Sequence, residues 1–143
     1  MFPENHPSIY LSQLLYSTSR QLIQQIQQAL NEVNLTYPQF LTMNVLWKED
    51  GLKVHQLGLK LQLDSGTLTP LLKKLEAQNL VKRKRGEEDE RTVRVHLTYP
   101  GKSLQQKTME ALASLEFKLS EDFGKEISKM IAPTEALFKK LNP

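Results

Sequence analysis

Apolar residues near the start of the chain fall at Leu11, Leu15, Leu22, Ile26, Leu30 and Val33, at steps of four, seven, four, four and three. That spacing lines one face of a helix, so a long amphipathic helix is expected from about Ser8 to Val33, with Gln and Asn filling the gaps. Asn34 and Tyr37-Pro38 interrupt it. Thr36 is placed to cap the next helix, Pro38 suits its first turn, and Phe40, Leu41, Val45, Leu46 and Trp47 carry it to the stop at Asp50-Gly51. A short helix from Val54 to about Leu61 and another from Ser65 to Gln78 follow, a few residues apart. The period then drops to two. Leu80 to Lys84 and Thr92 to Leu97 alternate apolar and polar around the charged loop Gly86 to Arg91, the pattern of a β-hairpin. From Gly101 the helical period returns through Leu112, Leu115, Leu119, Phe123, Ile127 and Met130, and Pro133 is expected to end this helix before a last short one carrying Leu137, Phe138 and Leu141.

At 143 residues with 39% hydrophobic and 24% charged positions, this pattern belongs to a single folded domain, mainly α with a small β-hairpin. No stretch approaches the roughly 20 apolar residues of a membrane span, and Met1 to Pro7 lacks the basic and apolar parts of a signal peptide. A cytoplasmic protein with no membrane partner is expected. The absence of cysteine removes disulfides, thiolate metal sites and thiol nucleophiles, and His6, His55 and His96 have no metal-ligand spacing. No Ser-His-Asp set, phosphate-cradling glycine loop or paired acids in an apolar setting can be assembled, so neither an enzyme nor a cofactor is expected.

The net charge of +3 becomes informative once divided. Residues 1–47 carry one basic and two acidic groups, residues 48–100 eleven and eight, and residues 101–143 seven and six. Within the middle part, Lys73, Lys74, Lys82, Arg83, Lys84 and Arg85 face only Glu76, a density suited to phosphate contact or to a solvated surface. Helix, short turn, helix, hairpin is the order of a winged helix-turn-helix, whose second helix enters the DNA major groove. That helix opens with Asp64, Ser65, Gly66, Thr67 and Thr69. Asp64 and Ser65 suit capping, while Thr67 and Thr69 suit contact with bases or phosphates. In the hairpin loop, Arg91 is placed to reach a minor groove past four acids, with Asp89 orienting it, unless the loop is simply a solubilising tip. Two long terminal helices carry more apolar face than the compact middle can cover. Either they pack on each other within one chain, or a homodimer buries them.

The string LDSGTLTPLLKKLE from Leu63 to Glu76, with Asp89-Glu90-Arg91 after the basic strand, closely resembles the MarR family of winged-helix repressors, and within it the organic-hydroperoxide-sensing OhrR branch. LLYSTSR (Leu14 to Arg20), LTYPQF (Leu35 to Phe40) and Trp47 to Leu52 extend the resemblance, which covers about residues 9 to 101. It implies a dimeric repressor on a palindromic operator in double-stranded DNA. The winged part would span 36–99, with dimerisation helices at 8–33 and 101–141. Asp64, Ser65, Thr67, Thr69 and Arg91 match positions that contact or orient DNA in the family, with the wing tip at Asp89 and Arg91; apart from the resemblance, the charge of Lys73 and of Lys82, Arg83, Lys84 and Arg85 suits contact with the DNA backbone. The branch's reactive cysteine corresponds to Ser12, and of its two nearby tyrosines Tyr37 is matched while the other position is Ile26.

A serine hydroxyl cannot be oxidised to a sulfenic acid, so thiol-based peroxide sensing is not expected. Either the chain is a Cys-to-Ser variant of a hydroperoxide sensor or it is a natural relative with another trigger, such as a small phenolic or aromatic effector. Ile26 favours the natural relative. The expected effector space lies near Ser12, Tyr16, Ile23, Ile26, Tyr37 and Trp47, residues that equally suit an ordinary core. A winged helix that binds an acidic protein partner is the rival class, separable by salt-dependent binding to promoter DNA.

Overall fold

The computed structural model of the chain describes residues 4–86 and 92–143. Helix α1 (Pro7–Leu30) takes a proline into its first turn and leaves through a 3-10 turn, Asn31–Val33. Helix α2 (Tyr37–Lys48) starts at a reciprocal cap: the Gln39 N–H donates to Thr36 Oγ1 at 3.3 Å and the Thr36 N–H to Gln39 Oε1 at 3.0 Å. Gln27 fixes the angle between the two helices. Its amide donates to the Leu35 carbonyl at 2.9 Å and accepts from the Tyr37 N–H at 2.8 Å. Strand β1 (Leu52–Lys53), helices α3 (Val54–Leu61) and α4 (Ser65–Ala77), strands β2 (Val81–Arg85) and β3 (Val93–Leu97), and helix α5 (Tyr99–Leu141) complete the order.

The core lies in the middle of the chain, where Leu30, Met43, Leu46, Leu57, Leu68, Leu72, Leu75, Val81 and Val95 are buried between α1, α2, α3, α4 and one face of the sheet. The hairpin expected from the sequence is the larger part of a three-stranded antiparallel sheet in the order β1-β3-β2. β1 adds two residues to the free edge of β3, with Leu52 opposite Val95 and Lys53 opposite Arg94. A two-residue strand has no periodicity to read. Asp50 anchors it, since its Oδ1 accepts from the Gly51 N–H at 2.9 Å and from the Leu97 N–H at 2.8 Å.

At the root of α5 the chain is tied from several sides. Thr98 caps the helix by accepting from the Gly101 N–H at 3.0 Å, and its hydroxyl donates to the Asn79 carbonyl at 2.7 Å. The Trp47 indole N–H donates to the Gly101 carbonyl at 2.9 Å. α5 then runs 43 residues, which corrects the expected break at Pro133. One proline removes a single N–H from the ladder, and the turns on both sides of Pro133 remain helical. The dihedral break falls instead at Phe123 (φ −136°, ψ 15°), next to Gly124, the weakest helix former of that stretch.

Beyond the core, α1 and α5 pack on each other but leave apolar residues outside. Leu119 is buried, whereas Phe117, Phe123, Met130, Phe138 and Leu141 are exposed. A groove of about 730 Å³ lies between Leu15 and Leu22 of α1 and Phe123, Ile127, Met130 and Phe138 of α5.

The two glycines of α5 separate a packing requirement from a neutral position. A Cβ at Gly101 would lie 2.1 Å from the Leu80 carbonyl oxygen, whereas at Gly124 it would meet only Ser120 Cβ at 3.8 Å. Gly101→Ala is therefore expected to cost about 1–3 kcal/mol or more in urea unfolding, through overpacking against backbone. Gly124→Ala should be neutral or stabilising. Equal stability of the two variants would contradict this packing.

Candidate nucleic-acid interface

Helix α4 turns Leu68, Leu72 and Leu75 into the core and leaves Ser65, Gly66, Thr67, Lys73 and Lys74 exposed, with Thr69 half-buried. Asp64 is its N-cap, with Oδ1 accepting from the Thr67 N–H at 2.8 Å. The Thr67 backbone N–H, joined by the Thr67 hydroxyl, holds this exposed carboxyl below its usual value. An ionised carboxylate at this helix end partly cancels the positive end of the macrodipole and repels phosphate. The end that sequence alone marks as a phosphate site thus presents short polar side chains beside a negative cap, an arrangement that suits base edges better than backbone.

The basic residues that follow do not act alike. Arg83 shares the inward side of β2 with Val81 and forms a hydrogen-bonded ion pair with Glu76 of α4, both partly buried. Its charge is spent on joining α4 to β2. Lys82 and Lys84 project from the opposite face, with Lys82 across from His96 and Lys84 across from Arg94. Because Arg94 is also across from Lys53 of β1, three cations stand in a row over the three strands: Lys53, Arg94 and Lys84. Like charges directly opposed destabilise a sheet in isolation, and an anionic surface laid over them reverses the sign. Arg94 is steadied by donating from Nη1 to the Gly51 carbonyl at 2.9 Å. The row was missed in the sequence because only strand register aligns Lys53 with Arg94, and no contiguous motif contains both. Arg85 is exposed at the end of β2, while Asp89 and Arg91 lie outside the described residues.

The residues expected to surround an effector are divided. Ser12 is exposed and donates to the Ile9 carbonyl of its own helix at 2.7 Å. Tyr16 is 65% exposed, with the Arg20 guanidinium 5.5 Å from its ring centre. Ile26, Tyr37 and Trp47 pack against the main core, and Ile23 is half-buried. None of the six lines the groove between α1 and α5. Among the described residues no group of three or more His, Asp or Glu is placed to hold a metal ion.

Comparison with known proteins gives a consistent set of relatives. Residues 24–110 match the family described as Transcriptional regulator SarA/Rot. The chain is 40% identical over 129 residues to the organic hydroperoxide resistance transcriptional regulator of Bacillus subtilis (strain 168), covering 90% of this chain and 87% of that protein. It is 37% identical over 121 residues to the HTH-type transcriptional regulator MgrA of Staphylococcus aureus, covering 82% of each. Reduced AbfR bound to DNA, AbfR being a protein of Staphylococcus epidermidis, superposes with a TM-score of 0.82 at 31% identity, covering 98% of this chain and 97% of that one. AbfR is also known in a disulfide-formed state, a chemistry closed to a chain without cysteine.

The Asp64 cap is open to direct test. Asp64→Ala removes the side-chain acceptor of the Thr67 N–H and should speed amide exchange at Thr67, and leave exchange in the core strands unchanged. Because the folded carboxyl titrates below its unfolded value, the cap contributes fully above the unfolded pKa and is lost as pH falls through the lowered folded value. Unchanged exchange at Thr67 would show that the cap does not order the first turn.

Proposed function

This chain belongs to the SarA/Rot and MarR type of winged-helix transcriptional regulators, and from that premise we propose that it represses transcription by binding operator DNA as a homodimer, without a thiol trigger. The observation that carries the reading is the pairing of an exposed polar first turn on α4 with a basic outer face of the adjoining sheet. In this reading α4 lies in the major groove with Ser65, Thr67 and Thr69 toward base edges. Lys73, Arg85, Lys84, Arg94 and Lys53 neutralise phosphates on either side, and Arg91, oriented by Asp89, enters the adjacent minor groove. Arg83 positions the wing through Glu76. The winged part of residues 36–99 is the DNA-binding unit, and the protein acts in the cytoplasm by binding, not by catalysis. No described helix is long and apolar enough to cross a membrane.

The dimer reading rests on the apolar surface left by α1 and α5. Phe123 and Phe138 are each about half exposed and Leu141 is 72% exposed. A second copy applied along 8–33 and 101–141 covers these residues and sets two α4 helices on one face, as successive major grooves about 34 Å apart require. Sedimentation at micromolar concentration should give a dimer. A stable monomer there would remove this part of the reading.

A mobility shift on the DNA upstream of the protein's own gene tests the whole. Binding is expected, and log K should fall linearly with log salt. Arg94→Ala and Lys84→Ala should each reduce that slope by about 0.9, one phosphate contact apiece. Thr67→Ala should reduce discrimination between operator and random DNA more than it reduces bulk affinity. Hydroperoxide at doses that release a thiol sensor should leave the complex intact, whereas candidate phenolics are the ligands to screen for release. No binding to promoter DNA at low salt would favour an acidic protein partner instead.

A further inference from the structure

Leu68, Leu72 and Leu75 hold α4 on the core by burial, which is strong but has no direction. Directed side-chain bonds gather at its C-terminal end. On one side the Glu76 carboxylate pairs with Arg83 of β2. Gln78, the C-cap residue, lies two positions on and so about 200° further round the helix, where its Nε2 donates to the Asn34 carbonyl at 3.1 Å. Asn79 follows in the left-handed region (φ 58°), and its carbonyl accepts from the Thr98 hydroxyl at 2.7 Å. The bonds of Glu76 and Gln78 leave α4 in nearly opposite directions, so each opposes the tilt that the other permits.

The partner of Gln78 is fixed in the frame of α1. Asn34 closes the 3-10 turn with φ 56° and belongs to the link between α1 and α2. Gln27 of α1 grips that link along its length. Its Nε2 donates to Asn31 Oδ1 and to the Leu35 carbonyl, both at 2.9 Å, and its Oε1 accepts from the Tyr37 N–H at 2.8 Å. The bond from Gln78 therefore joins α4, through one short and well-held link, to the helix that leaves Ile9, Leu11 and Leu14 exposed. The Glu76–Arg83 pair joins α4 only to the wing.

We propose that Gln78 is a positioning residue for DNA recognition: its bond to Asn34 sets the tilt of α4 relative to α1, and so selects operators by the spacing of their two half-sites. The inference deepens the reading of a DNA-binding dimer above and rests on it. α4 has 13 residues and a length of about 20 Å, so a tilt of about 3° at Gln78 moves its first turn by about 1 Å. One base pair added between half-sites moves a half-site by about 3.4 Å and turns it by about 34°. A dimer in which both α4 helices tilt by several degrees meets part of that change and keeps its contacts. A dimer with both tilts fixed does not. The bond is exposed and competes with water, so it adds little to stability and acts on angle instead.

The test compares two variants of the full chain: Gln78→Met, of similar length but without a donor, and Gln78→Lys, which keeps one. Affinity is measured for the upstream operator, for that operator with one base pair inserted or removed between its half-sites, and for a duplex carrying a single half-site, with thermal melting alongside. The unmodified chain should prefer the operator's own spacing by about tenfold or more. Gln78→Met should lower that preference by about threefold, keep its half-site affinity within about twofold, and melt within about 2 °C of the unmodified chain. Gln78→Lys adds a cation that strengthens binding to every duplex alike, and its spacing preference should stay within about twofold of the unmodified chain. An equal loss on the single half-site overturns the inference, since Gln78 would then touch DNA itself. A marked drop in melting temperature for Gln78→Met overturns it too, as does loss of spacing preference in Gln78→Lys. If the unmodified chain binds no DNA, or binds without regard to spacing, the proposed function or its dimer part fails together with this inference. If the unmodified chain prefers one spacing and Gln78→Met matches it, only this inference fails.

Discussion

The approach of α5, at Gly101, to Leu80, in the link between α4 and β2, is the contact on which the rest of the arrangement depends. With no Cβ at that position, the first turn of α5 presses directly on the Leu80 carbonyl, and the Thr98 N–H donates to the same oxygen at 3.1 Å. Trp47 reaches the Gly101 carbonyl from α2, and the Thr98 hydroxyl reaches Asn79 at the exit of α4. The helix that carries the apolar surface and the helix that carries the polar first turn therefore share one root. From Tyr99 to the break at Phe123 α5 forms a rod of roughly 36 Å, so a few degrees of rotation at that root displaces the start of its distal half by about 2 Å. Close-packed backbone offers little room to absorb such a rotation locally.

Two surfaces of opposite character follow. Leu68, Leu72 and Leu75 bury one side of α4, and Val81 and Val95 bury one side of the sheet, so polar and basic residues are confined to the outer faces. At the other end the chain has too few apolar partners for its own helices. Leu119 is the last strongly buried residue of α5, and every apolar side chain beyond it is at least partly open. The Glu76–Arg83 pair belongs to the first surface in position but to the frame in action. It crosses from α4 to β2, and a partly exposed pair of this kind contributes more to register between the two elements than to net stability.

Much of this was readable before any coordinates, and the reasons differ by element. α3 could be bounded at Val54 and Leu61, and the start of α4 at Ser65, because Leu57, Leu61, Leu68, Leu72 and Leu75 repeat at helical spacing and Asp64 is a capping residue. Thr36 was identifiable for the same local reason. β1 was not, since its two residues acquire meaning only by pairing with Arg94 and Val95 far along the chain. The sequence points to a break at Pro133 because proline weighs heavily in a local rule, whereas the ladder closes on both sides of it and the real irregularity, at Phe123, carries only the weaker signal of the adjoining Gly124. On the site, Lys73 and Thr67 are exposed as expected, but Arg83 is occupied by Glu76, a partner visible only once α4 and β2 are packed. Basic residues counted along a sequence therefore overstate the charge available to an anion.

The sulfur content of the chain limits how any signal can enter it. Ser12 holds its hydroxyl against the Ile9 carbonyl and has no redox chemistry to offer. Among the methionines, Met43 is fully buried in the core, Met109 is 38% exposed, and Met130 is 51% exposed at the groove between α1 and α5. A thioether oxidises more slowly than an activated thiolate, and a sulfoxide at Met130 would place a polar group on the apolar surface, far along α5 from its root. Oxidation there would thus act on the apolar surface between α1 and α5 and not on α4. A non-covalent ligand faces a different requirement. It shifts the protein only by as much as its affinity differs between two arrangements of the helices. With α5 fixed at Gly101 to Leu80, in the link between α4 and β2, the arrangements open to it are those that turn the winged part and the first half of α5 together.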